Sequence, residues 1–157
     1  MAPQEPKLTM RRLIADVSRW IPLEYNTGLR TLRIRIYDLI QDYMHWIPNL
    51  LRLVEGQGLT TLIFDLCLYM PSQVFGELWD DIAWLISETP RYASLQHVRF
   101  VHRGPLVMDA VNAALSHQFP LLRSRGILEV EDLRNLDLCE FPADPPQRIF
   151  SDVVIHR

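Results

Sequence analysis

His97 and His102 in HVRFVH, the adjacent carboxylates Asp80 and Asp81, and the cysteines Cys67 and Cys139 are the side chains of this 157-residue chain whose types could do chemistry. Two imidazoles can hold zinc, two carboxylates can pass a proton, and an activated thiolate can attack a carbonyl. The spacing works against each. Side chains alternate between the two faces of a strand, so His97 and His102, an odd number of residues apart, diverge. Neighbours on a helix diverge by about 100 degrees, which separates Asp80 from Asp81 and leaves them as part of a solvated face. Cys67 falls within an apparent strand, far from any helix N-terminus that would lower its pKa, and no CxxC pair occurs. Ser72, Ser87, Ser94, Ser116 and Ser124 lack the G-x-S-x-G elbow, and no glycine-rich phosphate loop follows a strand. The expectation is a noncatalytic protein with no cofactor and no metal.

These residues sit in a chain that is 48% hydrophobic, enough for a single domain with its own core. Its 16 basic and 19 acidic residues leave a formal charge of −3, which provides no field to gather nucleic acid or anionic lipid. Only Lys7 among the basic residues is lysine. The arginine bias suits a surface built for carboxylate pairing, and gene base composition accounts for it equally simply. The start, MAPQEPKLTMRR, has prolines and charges where a signal peptide needs an apolar run, and no later run approaches the roughly 20 residues of a membrane span. A cytoplasmic or nuclear protein is expected, with residues 1–7 disordered.

The elements that position the polar residues are written as a repeat. GLRTLRIRI at 28–36 returns as GLTTLIFDL at 58–66, then as LQHVRFVH with Leu95, Val98 and Phe100 in the same slots, then as GILEVEDL with Leu128 and Val130. Leu32, Leu62, Val98 and Leu128 are separated by 30, 36 and 30 residues. RRLIADV around Leu13 is a weaker earlier copy. Each copy alternates apolar and other residues, the period of a strand with one face in the core, which predicts strands near 31–36, 61–68, 97–102 and 127–131. The segments between read as helices: FGELWDDIAWLIS puts Phe75, Leu78, Trp79, Ile82 and Ile86 on one side, Leu106 to Leu115 repeats the pattern, and YDLIQDYMHWIPNLLRLVEGQG predicts a helix interrupted at Pro48. Strand and helix in steady alternation imply parallel neighbours joined by crossovers. The expected fold is α/β: leucine-rich-repeat-like units in one domain over 8–137, a parallel sheet on one side and helices on the other, although the spacing exceeds the usual repeat of about 20 to 29 residues. In the segment 138–157, Pro142, Pro145 and Pro146 break the pattern, and Phe150, Val153, Val154 and Ile155 suit a cap over the last strand.

LTTLIFDL, the Trp-bearing helix LWDDIAWLIS, LQHVRFVH, and a helix ending FPLLRSRGILEVE together resemble the C-terminal leucine-rich-repeat-like region of F-box proteins from mushroom-forming fungi. The resemblance spans residues 28 to 133, through Trp79 with Leu85-Ile86-Ser87 and the run Leu121 to Leu128. It implies a repeat region that holds a protein target for a cullin-based ubiquitin ligase. Residues 1 to 30 lack the leucine-proline helical module that an F-box requires, so the expectation is the repeat region without its recruiting half.

In that register the outward residues form columns: Thr31, Thr61, His97 and Ile127; Arg33, Ile63, Arg99 and Glu129; Arg35, Asp65, Val101 and Glu131. Arg33, Arg35, Asp65, Arg99 and Glu129 are therefore the candidate contacts for a protein partner of unspecified identity, and as self-paired surface charges they also need no function. Trp84 shares the helical wheel with Glu77, Asp80 and Asp81, as an outward anchor or as a residue packed on a neighbouring helix. The competing readings are a compact α/β enzyme with Tyr37, Asp38, Tyr69, His102 and Arg103 at the carboxyl edge of the strands, and a nonfunctional fragment of a longer gene.

Overall fold

A computed structural model of the chain describes residues 28–36, 44–54, 58–133 and, for the backbone, 151–156. Residues 1–7, the copy around Leu13, Tyr37, Asp38, Cys139 and the prolines of the tail lie outside the described residues. The elements run β1 (Thr31–Ile36), α1 (Trp46–Leu53), β2 (Thr61–Leu66), α2 (Glu77–Glu88), β3 (His97–His102), α3 (Met108–Gln118), α4 (Pro120–Ser124), β4 (Leu128–Asp132) and β5 (Ser151–His156). They form one sheet in the order β4-β3-β2-β1-β5. β1 to β4 are parallel, and the helices between them supply the crossovers that parallel pairing demands. The fold is α/β, a four-stranded parallel sheet alternating with helices.

The repeat slots coincide with the register. Leu32 pairs with Leu62, Leu62 with Val98 and Val98 with Leu128; the next core row is Ile34, Phe64, Phe100 and Val130. The members of these rows on β1 to β3 share one buried cluster with Ile47 and Leu51 of α1, Trp79 and Ile82 of α2, and Val111 and Leu115 of α3, and the partly buried Leu128 and Val130 pack against it. Phe64 stacks on Phe100 with centroids 5.1 Å apart, Phe119 lies 5.1 Å from Phe100, and Trp79 meets Phe119 edge-on at 6.1 Å. The Trp79 indole, buried in this cluster, donates its N–H to the Gln73 carbonyl at 2.9 Å.

Several boundaries differ from the sequence expectation. β2 ends at Leu66, not 68, which places Cys67 just past the strand; beyond Leu66 the backbone bonds to the loop after β3, through Arg103 N to Leu66 O at 2.9 Å and Leu106 N to Leu68 O at 3.2 Å. β4 begins one residue late, at Leu128, because Gly126 in the left-handed region (φ 69) closes α4, with its N–H on Arg123 O and that of Ile127 on Leu122 O. Pro48 lies in the first turn of α1, where the N–H it lacks has no helical acceptor, so it does not interrupt this helix. The tail strand β5 flanks the first strand of the repeat, not the last: Leu32 pairs with Ile155 and Ile36 with Ser151. β5 lies on the opposite edge of the sheet from β4 but begins at the end of the strands where β4 finishes, and so runs antiparallel to β1.

The loops after β2 and β3 press together at Gly104. A Cβ there would lie 2.2 Å from Leu68 O and 2.5 Å from Leu68 N, both backbone atoms that cannot swing aside. Gly104→Ala is expected to lower unfolding free energy by about 1 to 3 kcal/mol, the range for overpacking, in urea denaturation. Deleting residues 138–157 removes β5 and bares the edge of β1; concentration-dependent self-association on gel filtration is expected, and an unchanged elution volume would count against an edge-covering role.

Candidate functional site

The odd-numbered positions of β1 to β4 face away from the helices, and their polar side chains gather in two clusters. In the first, β2 contributes Asp65, 1% exposed, whose carboxylate is held by three arginines from two directions. Arg33 Nη2 donates to Oδ2 at 2.6 Å and Arg35 Nε to the same oxygen at 3.3 Å, both from β1. Arg103, one residue past β3, forks onto both oxygens, Nε to Oδ1 at 2.7 Å and Nη2 to Oδ2 at 3.2 Å. The register places Asp152 of β5 opposite Arg35 on the other flank of β1.

In the second cluster, β4 contributes Glu129, which accepts from His97 Nδ1 at 2.5 Å and from Arg99 Nε at 3.1 Å. Arg99 also reaches Glu131 at 3.8 Å. These side chains are substantially exposed, so the second cluster is a surface network and the first is a partly buried one.

Burial alone pushes the Asp65 carboxyl up, but the hydrogen bonds and charges of Arg103 and Arg33 outweigh it and hold the group below the ordinary carboxylate value. The hydrogen bond from His97 is the main influence lowering the Glu129 carboxyl; burial opposes it, and the hydrogen bond and charge of Arg99 add to the lowering. A carboxylate committed on both oxygens and kept ionised is a poor proton acceptor. What Asp65 does is aim guanidiniums along the sheet.

Of the six candidate contacts, Arg33, Arg35 and Asp65 converge, Arg99 and Glu129 converge one cluster away, and Trp84 stands apart on α2, 58% exposed. Asp65 is covered by its arginines and is not itself a contact surface, because the carboxyl ends of β2 and β3 are buried on both faces, Val101 included. Arg103, which the alternation of the strand does not reach, shares the parity of Arg99 and Val101 and joins the sheet-face set through Asp65. His97, in the outermost column, pairs with Glu129 one column in. The carboxyl edge does hold a buried histidine, His102, yet it occupies a core slot on the opposite face from Asp65 and gives its Nε2–H to Leu106 O at 2.8 Å. Tyr69, at the same edge, is exposed. Asp80 and Asp81 diverge as the wheel requires, Asp80 accepting from Gln118 at 2.8 Å and Asp81 lying 3.5 Å from Arg52.

Among the described residues no group of three His, Cys, Asp or Glu could hold a metal ion, and no helix is long and apolar enough to cross a membrane. Comparison with protein-family models, curated proteins and solved structures returns no match.

Asp65→Asn leaves three guanidiniums around a neutral amide. It is expected to cost about 2 to 3 kcal/mol, at or below the low end for breaking a buried pair because the arginines reach solvent. Folding lowers the Asp65 pKa, so its contribution is complete above the unfolded carboxyl value of about 4 and is lost as pH falls through the folded value. Urea midpoints of wild type should therefore drop below about pH 4 more steeply than those of Asp65→Asn; parallel profiles would remove Asp65 as the acid-sensitive group.

Proposed function

We propose that this chain is a noncatalytic protein-interaction scaffold of strand-helix repeats that reads a partner across the charged face of its sheet. The observation that carries the reading is the arrangement of Arg33, Arg35 and Arg103 around the buried Asp65: a hidden carboxylate fixes the direction of three partly exposed guanidiniums. Preorganised forks lose little conformational entropy when they meet a carboxylate, which is how a sheet face gains specificity without a deep pocket. The second cluster adds acidic side chains, Glu129 and Glu131, so the complementary surface carries both signs, basic opposite β4 and acidic opposite β1.

The likeness of residues 28 to 133 to the repeat region of fungal F-box proteins fits this reading and extends it to a substrate-recognition-type repeat region in the cytoplasm or nucleus. The rival enzyme reading needs Asp65 or His102 free to move protons at one site. Their positions on opposite faces, each hydrogen-bonded within the fold, support the scaffold instead.

Quantitative affinity capture from a native extract tests it, comparing wild type with Arg99→Glu and with Arg33→Gln combined with Arg99→Glu. Partners of the sheet face should fall by about tenfold in both variants, the measure of one lost charge-pair contact, with thermal melting of Arg99→Glu unchanged. Identical captured proteins in all three samples would remove the sheet face as the binding surface.

A further inference from the structure

The helix layer, on the side of the sheet away from the charged face, carries a second surface with different chemistry. Arg52 of α1, Trp84 and Leu85 of α2, and Thr89, Pro90 and Arg91 in the turn that follows line a shallow groove of about 500 Å³. Its walls are tied together. The Tyr92 hydroxyl donates to Leu51 O at 2.5 Å, the Thr89 hydroxyl to Leu85 O at 2.5 Å, and the Arg91 guanidinium to Arg52 O. These bonds lock the short 3-10 turn Pro90–Tyr92 against the end of α1, so the groove exists before anything enters it.

Three features of its lining point to the same kind of occupant. Trp84 is 58% exposed although Trp79, on the same helix, is completely buried, so the fold uses one indole for its core and leaves the other in water. Arg91 has only a carbonyl as partner, and its charge meets no carboxylate among the described residues. Arg52 meets Asp81 at 3.5 Å with both groups largely in solvent, a pairing weak enough to be exchanged. An exposed indole flanked by two guanidiniums has the composition found at the energetic centre of protein interfaces, where binding takes it out of water. The surroundings narrow the choice. Glu77, Asp80, Asp81 and Glu88 on α2 would repel a phosphate chain or an anionic membrane, whereas a lone carboxylate beside an apolar side chain meets the two arginines and the indole without approaching those acids in series.

We infer that this groove docks a short peptide segment of a partner protein, in which one carboxylate bridges Arg52 and Arg91 and a neighbouring bulky apolar side chain covers Trp84. It is independent of the sheet face, and one chain could hold two partners, or two parts of one, on its two sides.

A phage-displayed library of random linear peptides, selected on the full chain, tests this directly. Enriched sequences should pair Asp or Glu with an adjacent Leu, Phe, Trp or Met, and a synthetic peptide from them should bind about tenfold more weakly to Trp84→Ala and to Arg91→Gln, while binding equally to Arg99→Glu on the sheet face. The Trp84 indole N–H resonance, assigned by its absence in Trp84→Phe, should move on titration with that peptide and not with its Glu→Gln or Asp→Asn counterpart. Both altered positions are exposed, and unchanged melting of the variants confirms that the fold is intact. The inference is overturned if no acidic-apolar peptide is enriched, if the enriched peptides bind Trp84→Ala as well as wild type, or if they lose affinity only with Arg99→Glu. It is equally overturned if the surface lost in Trp84→Ala proves to bind oligothymidylate, phosphatidylserine vesicles or a second copy of this chain in sedimentation.

Discussion

Ile34, Phe64, Phe100 and Val130 stand on four consecutive strands in a single row, and the structure depends on that row staying in register. A slip of one residue at any strand pair would send a core side chain to the charged face and a charged one into the aromatic cluster. Slip is opposed on both faces at once. On the helix side Phe64 and Phe100 stack with Trp79 and Phe119 closing around them, and on the other side the arginines of β1 lock onto Asp65 of β2. Core packing and surface ion pairing thus specify the same alignment of strands.

That double role gives Asp65 more than one consequence. An isolated buried carboxylate would be costly, and its three guanidiniums offset the loss of water while remaining partly in solvent themselves. The pairing also couples elements distant in the chain, since β1, β2 and the segment after β3 all meet on one pair of oxygens. The neighbouring cluster at Glu129 repeats the device in a weaker, more exposed form, with β3 supplying the donors and β4 the acceptor.

Much of this was legible in the sequence because the repeat writes period and register together. Once Leu32, Leu62, Val98 and Leu128 are aligned, every alternate side chain follows, and Arg33, Arg35, Asp65, Arg99 and Glu129 fall on one face without further information. Burial was not legible in the same way. Alternation says which face Asp65 is on but not that three arginines fold over it, since that depends on side-chain reach and on Arg103, which lies beyond the strand where periodicity stops. The position of β5 was also hidden, because a six-residue apolar strand fits either flank of a sheet and only the path of the connection decides. Pro48 misled for a simpler reason: proline breaks a helix in its interior but not in its first turn. Trp84 could be placed on a polar wheel face, yet whether a neighbour would cover it required the separation of α1 and α2.

The flanking position of β5 makes the link between β4 and β5 a tether across the whole width of the sheet. Four strand spacings of about 4.8 Å put its ends roughly 19 Å apart, while eighteen intervening residues have a contour length of roughly 60 Å. Each further unit inserted by duplication would lengthen the gap by one strand spacing and consume part of that slack. The tether therefore acts as a molecular ruler: it sets a ceiling on how many units this array can gain before its two flanks part company, and the sheet has an upper width written into the chain itself.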